Sequence, residues 1–362
     1  MNVHENVPVN VLLDQVLLMA KRITIKDVAK EAGISYQTVS RVINNKGEVS
    51  SEVRTRVHAA IEKLGYRPSA IARSMVRGRT NTLGCIAPNL VDYTFACLVE
   101  GAKAEARQRG YLLLAASAEQ ESEVAALCDE LLHSGRVDGL LAINPYSDRR
   151  HCNFEQLIAQ GAAVAYFGVG PRDDGVPTVR LDDENGAYQA TRHLASLGHE
   201  HIAMITGPAN EDCVQCRNEG YARALQEAGL TPLPDGISVG DWSATSGYQA
   251  MQRWLNSGTS FSALFAQNDR MAVGAIKAVR EHGLRVPQDL AVVGFDDMPL
   301  ASYFDPPLTT IHQDVFELGH QGARILIEMI ENPSHSPKHI VIPARLIVRE
   351  SCGAKLSSPS KQ

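Results

Sequence analysis

Four polar side chains within residues 35–44 have the types and the spacing needed to read the edges of DNA bases. Gln37 and Arg41 are four residues apart, so on a helix they lie one turn above each other. An arginine can donate two hydrogen bonds to guanine, and a glutamine can bond adenine bidentately. Tyr36 and Ser40 add a phenol and a hydroxyl to the same face. A merely solvated helix face would carry Glu or Lys, so we predict a face that reads duplex DNA.

Apolar residues around this face predict a helix-turn-helix. The first helix is indicated by apolar residues at i, i+3, i+4 and i+7, which are Ile25, Val28, Ala29 and Ala32. Thr24 begins a capping box, and Gly33 supplies the tight turn that ends this helix. Ser35 can cap the second helix, and a third follows Ser50 or Ser51. The alternative interpretation is a structural bundle of three short helices with a polar surface.

Charge is divided unequally along the 362 residues of the chain. Thirteen Lys and Arg against five Asp and Glu give residues 21–79 a net charge of +8, which leaves −14 for the rest of a chain whose total is −6. A basic head on an acidic body is expected of a sensor tethered to DNA, because phosphate attraction is wanted only at one end. Apolar residues make up 44% of the chain, an ordinary share for a globular protein with no membrane span.

From residue 81 onward, short apolar runs alternate with longer amphipathic ones, which predicts a parallel α/β sheet. The predicted strands are 83–87, 111–116, 139–143, 164–167, 202–206, 262–266 and 291–295. The predicted helices are 95–109, 122–134, 154–160, 185–197, 215–228, 244–256, 270–281 and 316–330.

Residues 24–68 resemble the DNA-binding headpiece of the LacI/GalR family of bacterial transcription regulators, and the resemblance continues to about Ser351. The run 35–42 is identical to the recognition helix of one member of that family. The resemblance implies a helix-turn-helix headpiece with a hinge helix, followed by a two-lobed α/β core like the periplasmic sugar-binding proteins. We therefore expect an extension at 1–20 or a true start at Met19, a headpiece at 21–67, a hinge at 68–80, an effector-binding and dimerisation domain at 81–351 and a flexible tail at 352–362.

The resemblance also implies which residues contact DNA. These are Thr24, Ser35, Tyr36, Gln37, Ser40, Arg41, Asn44 and Ser50 in the headpiece, with Ser69, Ala72 and Met75 in the hinge. Met75 stands where the family has a leucine wedge that enters the minor groove, a device in which an apolar side chain unstacks a base step. A plain flexible tether is the alternative interpretation of the hinge. The family's lobe division would place 81–179 and a later helix in one lobe, and 180–311 with the last strand in the other.

Polar and aromatic groups follow several predicted strands, where ligands of parallel sheets bind. Hydrogen-bonding groups beside a flat ring suit a sugar, although Asp and Asn at strand ends often cap helices and Trp is usually core. The residues expected to bind the effector are Tyr93, Phe95, Arg217, Trp242, Asn268, Asp296 and Gln313. Two positions depart from the family member that shares the recognition helix: Gly168 replaces a carboxylate and Val315 replaces a Phe, which leaves the identity of the sugar open.

The pattern as a whole predicts a homodimeric repressor of a sugar-utilisation operon, which a galactoside-like inducer releases from a pseudo-palindromic operator in the cytoplasm, where the bound form joins the nucleoid. A corepressor-dependent, purine-type regulator is the first alternative, and a sugar-binding transport protein is the second. An enzyme is the third, but no nucleophile–base spacing or P-loop is present. We predict no catalytic residue, cofactor or metal, and the lone CxxC at Cys213 and Cys216 has no second pair. The tail lacks the heptads of a tetramerising coiled coil.

Overall fold

The computed structural model describes residues 23–44, 46–67, 78–143, 157–168, 176–332 and 339–354. The chain divides into two compact units, Met1–Thr80 and Asn81–Gln362. The predicted extension and the hinge residues Ser69, Ala72 and Met75 lie outside the described residues.

The first unit is a bundle of three helices, each preceded by a hydroxyl side chain. The helices are α1 (Ile25–Ala32), α2 (Tyr36–Ile43) and α3 (Ser51–Leu64). Thr24 and Asp27 form the capping box at the start of α1, and Gly33 ends it in the left-handed conformation at a φ of 64°. The buried core is made of Val28, Ala29, Ala32, Val39, Val42, Val57 and Ala60. The predicted helix-turn-helix is confirmed.

The first lobe of the second unit is a parallel sheet with helices on both faces. Its strands are β1 (Thr82–Ala87), β2 (Leu112–Ser117), β3 (Gly139–Ile143), β4 (Val164–Phe167), β5 (Thr178–Leu181) and β11 (His339–Ile342). They are ordered β11-β5-β4-β3-β1-β2, and neighbouring strands pair in parallel. Helices α4 (Tyr93–Gln108) and α10 (Val315–Glu331) pack on one face, and α5 (Glu121–Cys128) with the π-helical turn Asp129–His133 packs on the other.

The second lobe repeats this arrangement with a smaller sheet. Its parallel strands are β6 (Ile202–Thr206), β7 (Ile237–Val239), β8 (Ala263–Ala266) and β9 (Ala291–Val293), ordered β7-β6-β8-β9. Its helices are α6 (Asp183–Ser196), α7 (Asp212–Glu227), α8 (Ala244–Ser257) and α9 (Asp269–Glu281), followed by the short 3₁₀ helix Pro299–Tyr303. An antiparallel ribbon of β10 (Thr310–His312) and β12 (Arg345–Ile347) completes it.

The alternation of strands and helices confirms the predicted α/β class. All seven predicted strands are present with ends within two residues of the prediction, whereas five strands of three or four residues, β5, β7, β10, β11 and β12, were not predicted. Runs this short carry too few residues for a period to be recognised. Residues 154–156 of the predicted helix 154–160 lie outside the described residues, and residues 157–159 are helical. Within the part of the chain that is described, helices long and apolar enough to cross a membrane are absent.

The lobe boundary expected after residue 179 is wrong by two residues. Arg180 and Leu181 continue β5, because they pair with Val341 and Ile342 of β11. The chain then passes to the second lobe before α6, returns between β10 and α10, and passes again between β11 and β12. Cys352, at the start of the predicted tail, is 1% exposed and belongs to the core of the second lobe.

Candidate functional site

Three side chains on the outer face of α2 make no hydrogen bond or ion pair with any other described residue. They are Tyr36, which is 51% exposed, and the exposed Gln37 and Arg41. On the opposite side of the helix, Val39 and Val42 are buried against α1 and α3. A helix anchored in this way holds an amide and a guanidinium in solvent with their donors available for base edges.

The other described residues predicted to contact DNA have partners inside the bundle. Asn44 Nδ2 donates to the Ser40 carbonyl oxygen at 2.9 Å. The hydroxyls of three cap residues, Thr24, Ser35 and Ser50, accept from backbone N–H groups at 3.4, 3.2 and 3.4 Å. Each therefore marks a helix N-terminus, where N–H groups favour phosphate. Among the described helices of this unit, only α2 lacks an acidic residue in its first turn, so its positive end is the least compensated.

Two of the basic residues counted in the sequence contact another helix of the bundle. Arg56 Nη2 donates to the Ala32 carbonyl oxygen at 2.6 Å, and Lys63 Nζ lies 2.6 Å from Glu31 Oε1. Both contacts join α3 to α1. The positive charge of this unit is thus partly structural, which a count of charges does not reveal.

A cleft of about 370 Å³ lies between the two lobes, at the carboxyl ends of parallel strands. Five of the seven residues predicted to bind a ligand line it, namely Phe95, Arg217, Trp242, Asn268 and Asp296. Several polar lining residues were not predicted, among them Asn89, Asp92, Glu119, Glu211, Asp241 and Arg270. Asp92 and Asn89 lie in the turn between β1 and α4, so their position after a strand is the signal that could have identified them.

Arg217 is 6% exposed and is held by its neighbours. Its Nε and Nη2 atoms lie 2.8 and 2.7 Å from Asp183 Oδ1, and Nη1 donates to the Gln267 carbonyl oxygen. The guanidinium carbon is 3.8 Å from the centroid of the Phe295 ring. Burial acts to lower the pKa of Arg217, but the Asp183 carboxylate raises it, and the balance lies above its ordinary value. Arg217 is therefore always charged, and its charge is matched by Asp183.

A glycine allows this pair to form. Helices α6 and α7 cross at Gly220, where a Cβ would lie 2.0 Å from the Glu184 carbonyl oxygen. Any larger residue would separate the helix that carries Asp183 from the helix that carries Arg217. Burial is the main cause that raises the pKa of Asp183, and Arg217 opposes it. A stable ionised pair thus depends on both partners staying in contact.

Trp242 is fixed in the cleft wall by groups on several sides. Its backbone has a φ of 68°, and its Nε1 donates to Glu211 Oε1 at 3.0 Å. Asn268 Nδ2 donates to the Trp242 carbonyl oxygen at 3.0 Å, while Asn268 Oδ1 caps α9 by accepting from Met271 N at 2.8 Å. A Cβ at Gly207 would lie 2.1 Å from the indole, so only glycine leaves room for this ring. Asn268 therefore caps a helix and also holds the aromatic wall.

Two residues predicted to bind the ligand do not line the cleft. Gln313 Nε2 donates to Asp296 Oδ1 at 3.1 Å, so Gln313 holds the lining carboxylate rather than facing the cavity itself. Tyr93 is the first residue of α4 and points along the helix toward Cys97; burial and this contact raise its pKa to about 12. Asp296 has a φ of 113°, a strained conformation that persists only where its surroundings hold it.

The two positions that depart from that family member are not among the lining residues either. Gly168 ends β4 with a φ of 92°, and Val315 is the buried first residue of α10. The described residues that line the cleft include neither of them. Their effect on the sugar that binds remains a prediction.

Asp269, the first residue of α9, is fully buried and is expected to make stability depend on pH. It accepts from Met298 N at 2.8 Å and from the Thr310 hydroxyl, and burial raises its pKa from 3.8 to about 7. Between these values the folded protein holds a proton that the unfolded chain has released, so the free energy of unfolding falls as the pH rises through this window.

Asp269→Asn should flatten this dependence, because the amide cannot ionise. Urea unfolding between about pH 4 and pH 8 measures the slope. Asp305→Asn is the control, since that side chain is 85% exposed. An unchanged slope in Asp269→Asn would contradict the assignment.

The CxxC pair lies at the start of α7, and Cys213 lines the cleft. Burial raises the pKa of Cys213 well above its ordinary value and that of Cys216 to about 11. Thiols in this state hold little thiolate, the form that attacks disulfides or binds metals. Within the described ranges, clusters of His, Cys, Asp and Glu suited to a metal ion are absent.

Two protein-family models match the chain. The model described as bacterial regulatory proteins, lacI family, matches residues 24–69, and the model described as periplasmic binding protein-like domain matches residues 191–352. The first match covers the three-helix unit. The second covers most of the second lobe together with α10.

Relatives and solved structures match over nearly the whole chain. The HTH-type transcriptional repressor PurR of Aliivibrio salmonicida is 35% identical over 91% of this chain and 98% of its own length. The ribose operon repressor of Escherichia coli is 37% identical over 91% of this chain and 99% of its own length. The lac repressor dimer bound to operator and the anti-inducer ONPF has a TM-score of 0.85 at 31% identity, covering 92% of this chain and 100% of that one. The complex of the regulator CelR with cellobiose has a TM-score of 0.70 at 32% identity, covering 91% and 100%.

Proposed function

Because the chain belongs to the LacI family of bacterial regulatory proteins, we propose that it represses a sugar-utilisation operon and leaves its operator when a galactoside-like sugar binds. It is a DNA-binding transcriptional repressor and not an enzyme. The inter-lobe cleft is the observation that carries the sugar proposal, because an indole lies there beside carboxylates and amides. A flat ring packs against the C–H face of a sugar, and these oxygens accept hydrogen bonds from its hydroxyls.

The recognition helix is proposed to read a half-site like that of the lac repressor. The resemblance of residues 35–42 to that protein's recognition helix and the outward position of Tyr36, Gln37 and Arg41 support this proposal. Thr24, Ser35 and Ser50 then lie at helix N-termini suited to backbone phosphates, with Ser40 and Asn44 beside them. Minor-groove contact by Ser69, Ala72 and Met75 is a proposal that depends on the family resemblance.

The repressor binds its operator as a homodimer, so the operator is expected to be a pseudo-palindrome. In this chain β2 is the edge strand of the first lobe, and its alternate residues Leu112 and Leu114 are 72% and 39% exposed. Alternate residues of a strand point to the same side, and an exposed apolar edge favours association. This edge supports a dimer contact through the first lobe.

The cleft and the DNA-binding unit are coupled by the lobes in this proposal. A sugar that binds one lobe arrangement better shifts the population toward it and draws the two hinges apart. A coupling free energy of about 1–3 kcal/mol is sufficient for such control. The proposed domains are the headpiece at 21–67, the hinge at 68–80 and the effector domain at 81–351, with the extension and tail outside them. Its place of action is the cytoplasm, at the nucleoid when the operator is bound.

A purine corepressor is the second candidate, because PurR of Aliivibrio salmonicida is 35% identical to this chain. An aromatic ring with amide and carboxylate neighbours also suits a nucleobase. The two candidates predict opposite signs of linkage. In an electrophoretic mobility-shift assay on an inverted-repeat operator selected from randomised duplexes, a galactoside should release the protein if the first candidate is right, whereas a purine base should tighten its binding if the second is right.

Asp296→Asn is expected to leave operator affinity unchanged and to weaken the sugar response at least about tenfold, because an NH2 group, which can only donate, replaces a carboxyl oxygen that can accept. The measurement is the galactoside concentration that half-releases the operator. Asp305→Asn, on the exposed surface of the same lobe, serves as the control. A normal response in Asp296→Asn would remove this residue from the binding site.

A further inference from the structure

The charged side chains around the cleft disfavour the binding of anionic ligands. What we infer from them rests on the proposed function of the cleft as a sugar site. Among the described residues that line it, carboxyl groups outnumber guanidiniums five to two. The carboxyl groups belong to Asp92, Glu119, Glu211, Asp241 and Asp296, and the guanidiniums to Arg217 and Arg270. Burial raises the pKa of Asp296 well above its ordinary value, and without Asp296 the carboxyl groups still outnumber the guanidiniums four to two. A cavity lined by one sign of charge concentrates ligands of the other sign and repels its own.

Both guanidiniums are already paired with a carboxylate. Arg217 is matched by Asp183 from the neighbouring helix of the same lobe. Arg270, the second residue of α9, forms an ion pair with Asp92 across the cleft, because Asp92 belongs to the first lobe. Asp92 is 178 residues away in sequence from the cation that it neutralises.

Three of the four helix N-termini around the cleft are capped by a side chain. The residues that precede α4, α7, α8 and α9 all line it, and they are Asp92, Glu211, Ser243 and Asn268. A free helix N-terminus is a ready site for phosphate. Here Asp92 Oδ1, Ser243 Oγ and Asn268 Oδ1 accept from backbone N–H groups at 2.9, 3.1 and 2.8 Å. The first turn of α7 adds the carboxylate of Asp212.

We propose that Asp92 determines specificity for ligand charge: by neutralising Arg270 from the opposite lobe, it makes the cleft select uncharged sugars and reject phosphorylated or acidic ones. Without the Asp92 charge, the Arg270 guanidinium would face the cleft unpaired, and guanidinium groups bind phosphate bidentately. The same two side chains join the lobes, so the selection operates in any lobe arrangement that keeps them in contact.

Asp92→Asn is a sharp test, because asparagine caps a helix as well as aspartate does and has the same shape. Calorimetry on the full-length protein would compare galactose with galactose 6-phosphate and ribose with ribose 5-phosphate. Of the two sugars, the one that binds should bind the wild-type protein at least about 100-fold more tightly than its phosphate ester does. In Asp92→Asn this ratio of affinities should be at least about tenfold smaller.

Two further variants separate the ion pair from a general loss of negative charge. Asp241→Asn also removes a lining carboxylate, but Asp241 Oδ1 accepts from Ser243 N at 2.9 Å instead of pairing with Arg270, so we expect a much smaller change. Adding Arg270→Gln to Asp92→Asn should abolish the gain in phosphate-ester affinity.

This inference is overturned if Asp241→Asn and Asp92→Asn reduce the ratio of sugar to phosphate-ester affinity equally. It is also overturned if the wild-type protein prefers a phosphorylated sugar. Either result leaves the repressor proposal standing. If the wild-type protein binds none of the four probes, the sugar site fails, and this inference fails with it. Operator binding tested in parallel shows whether the repressor function itself survives.

Discussion

Arg41→Ala is expected to weaken binding to the best operator by about 1–3 kcal/mol, roughly 5- to 150-fold, and to relax base preference at one position of each half-site. Arg41 is exposed on α2 and pairs with no other described residue. Its guanidinium therefore brings a full set of donors to a guanine edge. Loss of a base contact lowers affinity most for the preferred sequence, so specificity falls along with affinity.

A selection from randomised inverted repeats, followed by titrations at fixed salt, measures both quantities. Lys63→Ala is the matched control, because that cation lies on α3 rather than on α2 and is already paired with Glu31 of α1. The control should keep the base preference of the wild-type protein. If Arg41→Ala also keeps it and loses affinity uniformly, Arg41 contacts phosphate, and the proposed docking of α2 is incorrect.

Arg217→Met should lower the free energy of unfolding of the second unit by about 3–5 kcal/mol, because it leaves the Asp183 carboxylate buried without its partner. The two side chains are 7% and 14% exposed, so water cannot replace the lost interaction. Adding Asp183→Asn should recover part of the loss, since the buried charge is then removed as well. Arg217→Met should also abolish the sugar response, because Arg217 lines the cleft.

The same pair of helices contains a control. Arg223 and Glu184 form an ion pair between α7 and α6, but their side chains are 40% and 43% exposed. Exposed pairs contribute about 0–1 kcal/mol, so Arg223→Met should have little effect on urea unfolding. Equal losses in the two variants would show that the burial of the Arg217 pair has no special role.

The residues that bind and the residues that support them are closely mixed in the cleft. Asn268 caps α9 and holds Trp242, and Glu211 accepts from the indole while lining the cavity. Substitutions here will therefore change both affinity and local structure. Conservative variants, such as Asp92→Asn and Asp296→Asn, are preferable to alanine for this reason.

By itself the sequence determined the features that depend on neighbours within a helical turn or along a strand. The caps at Thr24, Ser35 and Ser50, the shared face of Gln37 and Arg41, and the alternation of strands and helices all follow from spacings of a few residues. Such local patterns, with a family resemblance, were sufficient for the DNA-binding unit, the α/β class and five of the cleft residues.

Only the tertiary structure decided which distant charges meet. Arg217 lies 34 residues from Asp183 in the chain, and Arg270 lies 178 residues from Asp92. Their pairing depends on how closely two helices cross and on where the lobes approach each other. The tertiary structure also shows that Gln313, predicted to contact the ligand, donates a hydrogen bond to Asp296 instead. The charge of a cleft is a sum over side chains from many elements, and no periodicity along the chain encodes that sum.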